Sequence, residues 1–205
     1  MNYFVLSQKK QAGCPQGSLN AALYDRFYSD TKKIEHGFFS WYAEGYKKEF
    51  HTPYPDGMVL ISEDKKYDFE VRNLWNVLYV VSEEFLSVCK LLGVKVVDAV
   101  PISVVSKAGA VIAKKNYYAA LFEELDVRTN TAVGTSFVEE DGLILRFKKL
   151  ILPEDINRHL FKFSGLISGS GSLICSEAFR EHASEFKGVE FVPLVDVVWS
   201  QIKSI

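Results

Sequence analysis

The chain has 205 residues, of which 48% are hydrophobic and 14% aromatic, and a formal net charge of −2. At that length roughly 70% of the unfolded chain's surface can be buried, enough for a core without disulfide or metal staples. A charged fraction of 24% argues against disorder, and the lack of a basic excess argues against a nucleic-acid binder, which must neutralise phosphates.

Tyr3-Phe4-Val5-Leu6 opens the chain as a short β-type run, closed by the turn-rich Gly13-Cys14-Pro15-Gln16-Gly17. Ala12-Gly13-Cys14 looks like the end of a lipoprotein cleavage site. Its leader, however, lacks the 7–15 continuous apolar residues that export requires, because Ser7 to Gln11 is polar. No window approaches the ~20 apolar residues of a membrane-spanning helix, so a cytoplasmic protein without membrane contact is expected. Leu19 to Tyr28 reads as a weak helix with Leu19, Ala22, Leu23 and Phe27 on one face. Phe38 to Tyr46 is crowded with aromatic residues. Pro53, Pro55 and Asp56-Gly57 then force a turn before a strand from Met58 to Ile61.

Tyr79-Val80-Val81 is a short apolar run ending at Ser82, whose side chain can cap a helix from Glu83 to Leu92. Glu83 and Glu84 suit the positive end of the helix dipole, and Gly93 suits its end. Phe85, Leu86, Cys89 and Leu92 make the apolar face. Val94 to Val105 is β-rich and broken at Pro101. Ala110 to Leu125 is ambiguous: Tyr117 and Tyr118 favour a strand, whereas Ala119 to Leu125 suits a helix. After the polar stretch Asp126 to Ser136, Asp141-Gly142 turns into Leu143 to Leu152, where Leu143, Leu145 and Phe147 alternate with Ile144, Arg146 and Lys148. Leu160 to Phe163 is a further strand, and Gly165 to Ser172 a mobile connection. Leu173-Ile174-Cys175 leads into a helix from Ser176 to near Gly188, and Val189 to Val192 is the last strand.

Two of these passages resemble each other. Val80-Val81-Ser82-Glu83-Glu84-Phe85 precedes Gly93-Val94-Lys95-Val96-Val97, and Ile174-Cys175-Ser176-Glu177-Ala178-Phe179 precedes Gly188-Val189-Glu190-Phe191-Val192. Each reads as strand, Ser-capped helix, Gly stop, strand, either as a true repeat or as convergence on common caps. The expectation is an α+β protein of mixed or antiparallel sheets with helices packed on them and two related strand–helix–strand halves. It forms a single domain over 1–205, with sub-halves at about 1–125 and 126–205.

Known catalytic patterns are missing. Gly165 to Ser172 lacks the Gly-Lys-Ser/Thr of a phosphate loop, the third glycine of Gly-x-Gly-x-x-Gly, and the Gly-x-Ser-x-Gly of a nucleophile elbow. The cysteines Cys14, Cys89 and Cys175 contain no close pair, and the histidines His36, His51, His159 and His182 no metal-ligand spacing, so neither metal nor cofactor is expected. Cys89 and Cys175 read as small core residues. Two acidic clusters, Glu123-Glu124-Asp126 and Glu139-Glu140-Asp141, set six acids against one arginine between Phe122 and Asp141. Solvated loops and a surface that steers a basic partner are both consistent with them. Among the aromatics, Phe38 and Phe39 read as core. Trp41, Tyr42 and Tyr54 suit a protein interface as well as a core.

The order of Tyr3-Phe4-Val5-Leu6, Val80-Val81-Ser82-Glu83-Glu84-Phe85, Leu152-Pro153-Glu154-Asp155, His159-Leu160-Phe161-Lys162-Phe163-Ser164-Gly165, Ile174-Cys175-Ser176-Glu177 and Gly188-Val189-Glu190-Phe191-Val192-Pro193-Leu194 resembles the α+β immunity proteins of bacterial polymorphic toxin systems. The motifs are short and mostly structural. Lys162 stands where Arg is expected, and none of these motifs falls within Thr31 to Asp56. The resemblance implies a cytoplasmic antidote that binds a cognate toxin, usually encoded beside it, and blocks it without catalysis. Such families offer no binding residues to carry over. Trp41, Tyr42, Tyr54, Glu123, Glu124, Glu139, Glu140 and Asp141 are therefore the expected partner-binding residues on the chemistry of their side chains alone. The alternative is a small-molecule enzyme with His159, His182 and Cys175 at its site.

Overall fold

The computed structural model describes residues 2–35, 38–43, 51–167, 171–202 and 205. His36, Tyr46 and residues 168–170 of the Gly165 to Ser172 stretch, considered above, lie outside these. Among the described residues are thirteen strands and three α-helices, the longest spanning Glu83–Leu91. The expected α+β architecture with helices packed on its sheets is thus corrected to a mostly β one. Several short apolar runs are buried on both faces, which erases the polar half of the strand alternation and lets them pass for helix.

The first strand, β1 (Tyr3–Gln8), is buried at all six positions. Phe4 and Leu6 face one core, Tyr3 and Val5 another. β2 (Ala21–Tyr24) occupies the stretch expected as helix. Ala21 and Leu23 enter one cluster, Ala22 and Tyr24 another, a period of two rather than 3.6. The one-turn α1 (Ser40–Ala43) follows, then β3 (Val59–Ser62), β4 (Val71–Leu74) and β5 (Leu78–Ser82). Ser82 caps α2 (Glu83–Leu91), accepting from the Phe85 amide. At its end Val94 N–H donates to Cys89 O and Gly93 N–H to Lys90 O, with Gly93 at φ 63°, a Schellman arrangement.

β6 (Val96–Ser106) runs through Pro101, where a break was expected. Pro101 is paired with Tyr118 on one side, whereas β3 joins β6 only from Ser103 onward, so the missing N–H leaves no ladder incomplete on that flank. β7 (Tyr117–Phe122) and the short β8 (Glu124–Asp126) are strands throughout, including the part that suited a helix.

The polar stretch ends in a strand not anticipated, β9 (Ser136–Glu140), which pairs with β10 (Leu143–Lys149). Asp141 at φ 50° and Gly142 at φ 76° form the left-handed pair of a type I′ turn. The register slips between Ile144 and Arg146, and this bulge inverts the expected alternation: Ile144 and Phe147, three apart, are the two buried residues. β11 (Leu160–Ser164), β12 (Leu173–Ser176), α3 (Glu177–His182) and β13 (Val189–Pro193) complete the order. α3 stops well short of Gly188. Within the connection expected to be mobile, Gly171 is held close to Asn73 and Asn76, and its carbonyl accepts from Tyr79 Oη at 3.0 Å.

One sheet has the order β2-β3-β6-β7-β5-β4, the other β13-β1-β12-β11-β8, and β9–β10 stands as a separate hairpin. The two strand–helix–strand passages have the same surroundings. In the first, β5 and β6 flank β7, antiparallel to both; in the second, β12 and β13 flank β1, antiparallel to both. β4 lies antiparallel outside β5 as β11 does outside β12. The two N-caps share geometry, with φ,ψ of −76°, 162° at Ser82 and −74°, 165° at Ser176. The second unit takes its inserted strand from the beginning of the chain. The helices meet between the sheets, where Phe85 lies 5.5 Å from Phe179 and 5.6 Å from Phe186, within a core that includes Cys89 and Cys175.

Candidate functional site

The outer face of the six-stranded sheet carries the cluster of Trp41, Tyr54, Leu78 and Tyr117. At its margin a cleft of about 270 Å³ opens between α1, residues 51–54 and the ends of β6 and β7. Trp41, Tyr54, Val77 and Phe122 supply apolar wall, and Lys95, Glu123 and Glu124 supply charge. The 51–54 segment is pinned by one carboxylate. Asp98 Oδ2 accepts from His51 Nε2 at 2.7 Å and from the Tyr54 amide at 2.8 Å. Because a carboxylate only accepts, His51 carries its hydrogen on Nε2 in this arrangement. The His51 ring meets Tyr54 edge to face at 5.1 Å. Burial, reinforced by the charge of Asp98, pushes the Tyr54 phenol far above its ordinary pKa.

Trp41 and Tyr42 also complete a sheet edge. β2 is an outermost strand, and its Leu23 turns both backbone groups outward. Tyr42 Oη accepts the Leu23 N–H at 2.7 Å, and Trp41 Nε1 donates to the Leu23 carbonyl at 3.4 Å. An edge that would otherwise recruit another strand is thereby closed by side chains. The rings continue outward: Phe39 stacks on Trp41 at 4.7 Å, and Tyr42 lies 5.4 Å from Trp75. Trp75, at the turn between β4 and β5, is 45% exposed.

Of the eight residues expected to bind a partner, Trp41, Tyr54, Glu123 and Glu124 line this cleft, and Tyr42 supports it. The acids there are ion-paired at strand ends rather than free in a loop. Glu123 meets Lys95 at 3.2 Å and Arg158 at 2.7 Å; Glu124 meets the buried Lys162 at 2.6 Å. Lys162 Nζ also lies 5.5 Å over the Tyr79 ring. Glu139, Glu140 and Asp141 are exposed at the tip of the β9–β10 hairpin and do not line the cleft. His51, Asp98, Lys95 and Trp75 were not singled out from sequence. The sequence separation of 47 between His51 and Asp98 hides their pairing. Asn76 after Trp75 was the one local sign of a turn there.

The alternative enzymatic set does not assemble into a nucleophilic pair. Cys175 is fully buried in the central core, and desolvation pushes its thiol pKa well up. His159 Nδ1 instead hydrogen-bonds Ser176 Oγ at 2.8 Å, and His182 is exposed at the end of α3. Among the described residues no group of three or more His, Cys, Asp or Glu is placed to hold a metal ion, and no helix is long and apolar enough to cross a membrane.

A family model described as Imm43, Immunity protein 43, matches residues 6–201. No curated protein matches the sequence.

Proposed function

The chain belongs to the Immunity protein 43 family, and from that premise we propose that it neutralises a cognate bacterial toxin by binding the toxin domain and covering the surface it needs. The family match over nearly the whole chain carries this reading. The toxin would belong to a polymorphic toxin system, act inside the cell, and meet its antidote in the cytoplasm, with no cofactor and no chemical step on the antidote's part.

The contact we infer is the face around the cleft. Aromatic residues dominate interface energetics because they bury large area at small entropic cost. Here the part-exposed Tyr42 is backed by Trp41 and Tyr54, which are themselves buried, and all three are held by hydrogen bonds before any partner arrives. Pre-organisation of this kind lowers the cost of association. Glu123 and Glu124 border the same face, and the charges of Glu139, Glu140 and Asp141 at the hairpin tip would add long-range attraction for a basic partner more than affinity. A stable complex of this sort buries about 1,200–2,000 Å².

The test is co-expression with the toxin domain encoded by the neighbouring reading frame. Cells making both chains should survive, and the two should co-purify at 1:1. Death of cells making both, or survival without a complex, would reject occlusion.

A further inference from the structure

We propose that Trp75 is the anchor of the toxin interface, the side chain that enters an apolar pocket on the toxin; this rests on the reading of the chain as a toxin antidote. Trp75 and Asn76 have φ of 53° and 59°, and the Val77 amide closes the turn on Leu74 O at 3.0 Å. A turn with both central residues left-handed takes Asn, Asp or Gly, the residues that tolerate this region. Asn76 obeys that rule. Trp75 breaks it, since a large aromatic side chain crowds its own backbone there.

Packing is the ordinary compensation for such strain, yet Trp75 leaves 45% of its surface exposed. What the fold does provide is support beneath it. The indole rests 5.4 Å from the Tyr42 ring, and Tyr42 is fixed in turn by its 2.7 Å hydrogen bond from Leu23. The turn itself is tied down, with the Asn76 amide donating to Asn73 Oδ1 at 2.7 Å and Gly171 packed so closely that a Cβ there would lie 2.6 Å from Asn76 Oδ1. Val77, two residues on, and Trp41, 6.2 Å from the Tyr42 ring, line the cleft, so the exposed indole stands beside the surface proposed to meet the toxin. Strain kept at an exposed, rigidly presented aromatic fits recognition rather than folding.

The test is Trp75→Asn, which gives the turn a residue it prefers. Against the toxin domain of the neighbouring reading frame, the variant should bind at least roughly 30-fold more weakly, the loss typical of an interface hot spot. Its urea midpoint should equal or exceed that of the wild type, and Trp75→Phe should recover much of the affinity. Binding by Trp75→Asn within about threefold of wild type would overturn the proposal. So would a lowered urea midpoint, which would make the indole a packing residue. If the wild-type chain itself failed to bind, the antidote reading would fall and this proposal with it; normal binding by wild type and Trp75→Asn alike would remove the anchor alone.

Discussion

Arg72 is fully buried, and its guanidinium donates to the carbonyls of Val71 at 2.8 Å, Gly188 at 3.1 Å and Pro15 at 3.3 Å. One side chain thus ties β4 to the N-terminal turn and to the start of β13. Desolvation lowers its pKa, as burial does for any cation. Gly188 makes room for it: at φ 78°, a Cβ on this residue would sit 3.0 Å from both Arg72 Nη2 and Cys14 Sγ. Beside this joint, Asp68 accepts from Lys187 at 2.5 Å and pairs with Lys66 at 3.4 Å. The Lys187 hydrogen bond, the largest influence, holds the Asp68 carboxyl below its ordinary value. A depressed carboxyl contributes stability above its unfolded pKa of about 3.9, and that contribution is lost as pH falls through the folded value. Asp68→Asn should therefore be less stable than wild type between about pH 5 and 7, with the gap closing below about pH 4. Urea midpoints across that range would check it; a constant gap would show that charge is not the cause.

At the scale of elements, the two serine caps allow a paired experiment. Each hydroxyl accepts from the amide three residues on, Phe85 at 3.0 Å and Phe179 at 3.3 Å, and losing a cap costs about 1 kcal/mol. Ser176 Oγ also meets His159 Nδ1 at 2.8 Å, but that ring is partly exposed and can turn to water instead. Ser82 donates to Oε2 of Glu70, a carboxylate only 3% exposed. Its removal would strand a buried charged oxygen, adding about 1–3 kcal/mol. Ser82→Ala should therefore destabilise by more than Ser176→Ala in chemical denaturation, and equal losses would count against the Glu70 contact. These caps were legible in the sequence because capping is decided within three or four residues. β2 was not, since burial of all four of its side chains removes the polar positions that mark a strand. β9 was hidden for the opposite reason: Glu139 and Glu140 are exposed, and its pairing with β10 follows from a turn and a bulge rather than from its own composition.

For the whole molecule, the informative relation is long-range. β1 enters the sheet between β12 and β13, and the cleft joins α1 and the 51–54 segment to strands that end near Glu123. No local pattern specifies either. Residue chemistry drew attention to Trp41, Tyr54, Glu123 and Glu124, which the fold brings to one cleft, but the Asp98 carboxylate that fixes His51 and Tyr54 becomes visible only when the chain has folded. The same distance hides Trp75, whose partner ring, Tyr42, lies on another element. One face of the molecule, rather than any motif, is where we place the toxin contact. Hydrogen exchange on the chain, alone and mixed 1:1 with its toxin domain, reads that face directly. Slowed exchange over residues 51–54, 71–77 and 121–124 on complex formation is the predicted result. A toxin held inactive while these segments exchange as fast as in the free chain would contradict it.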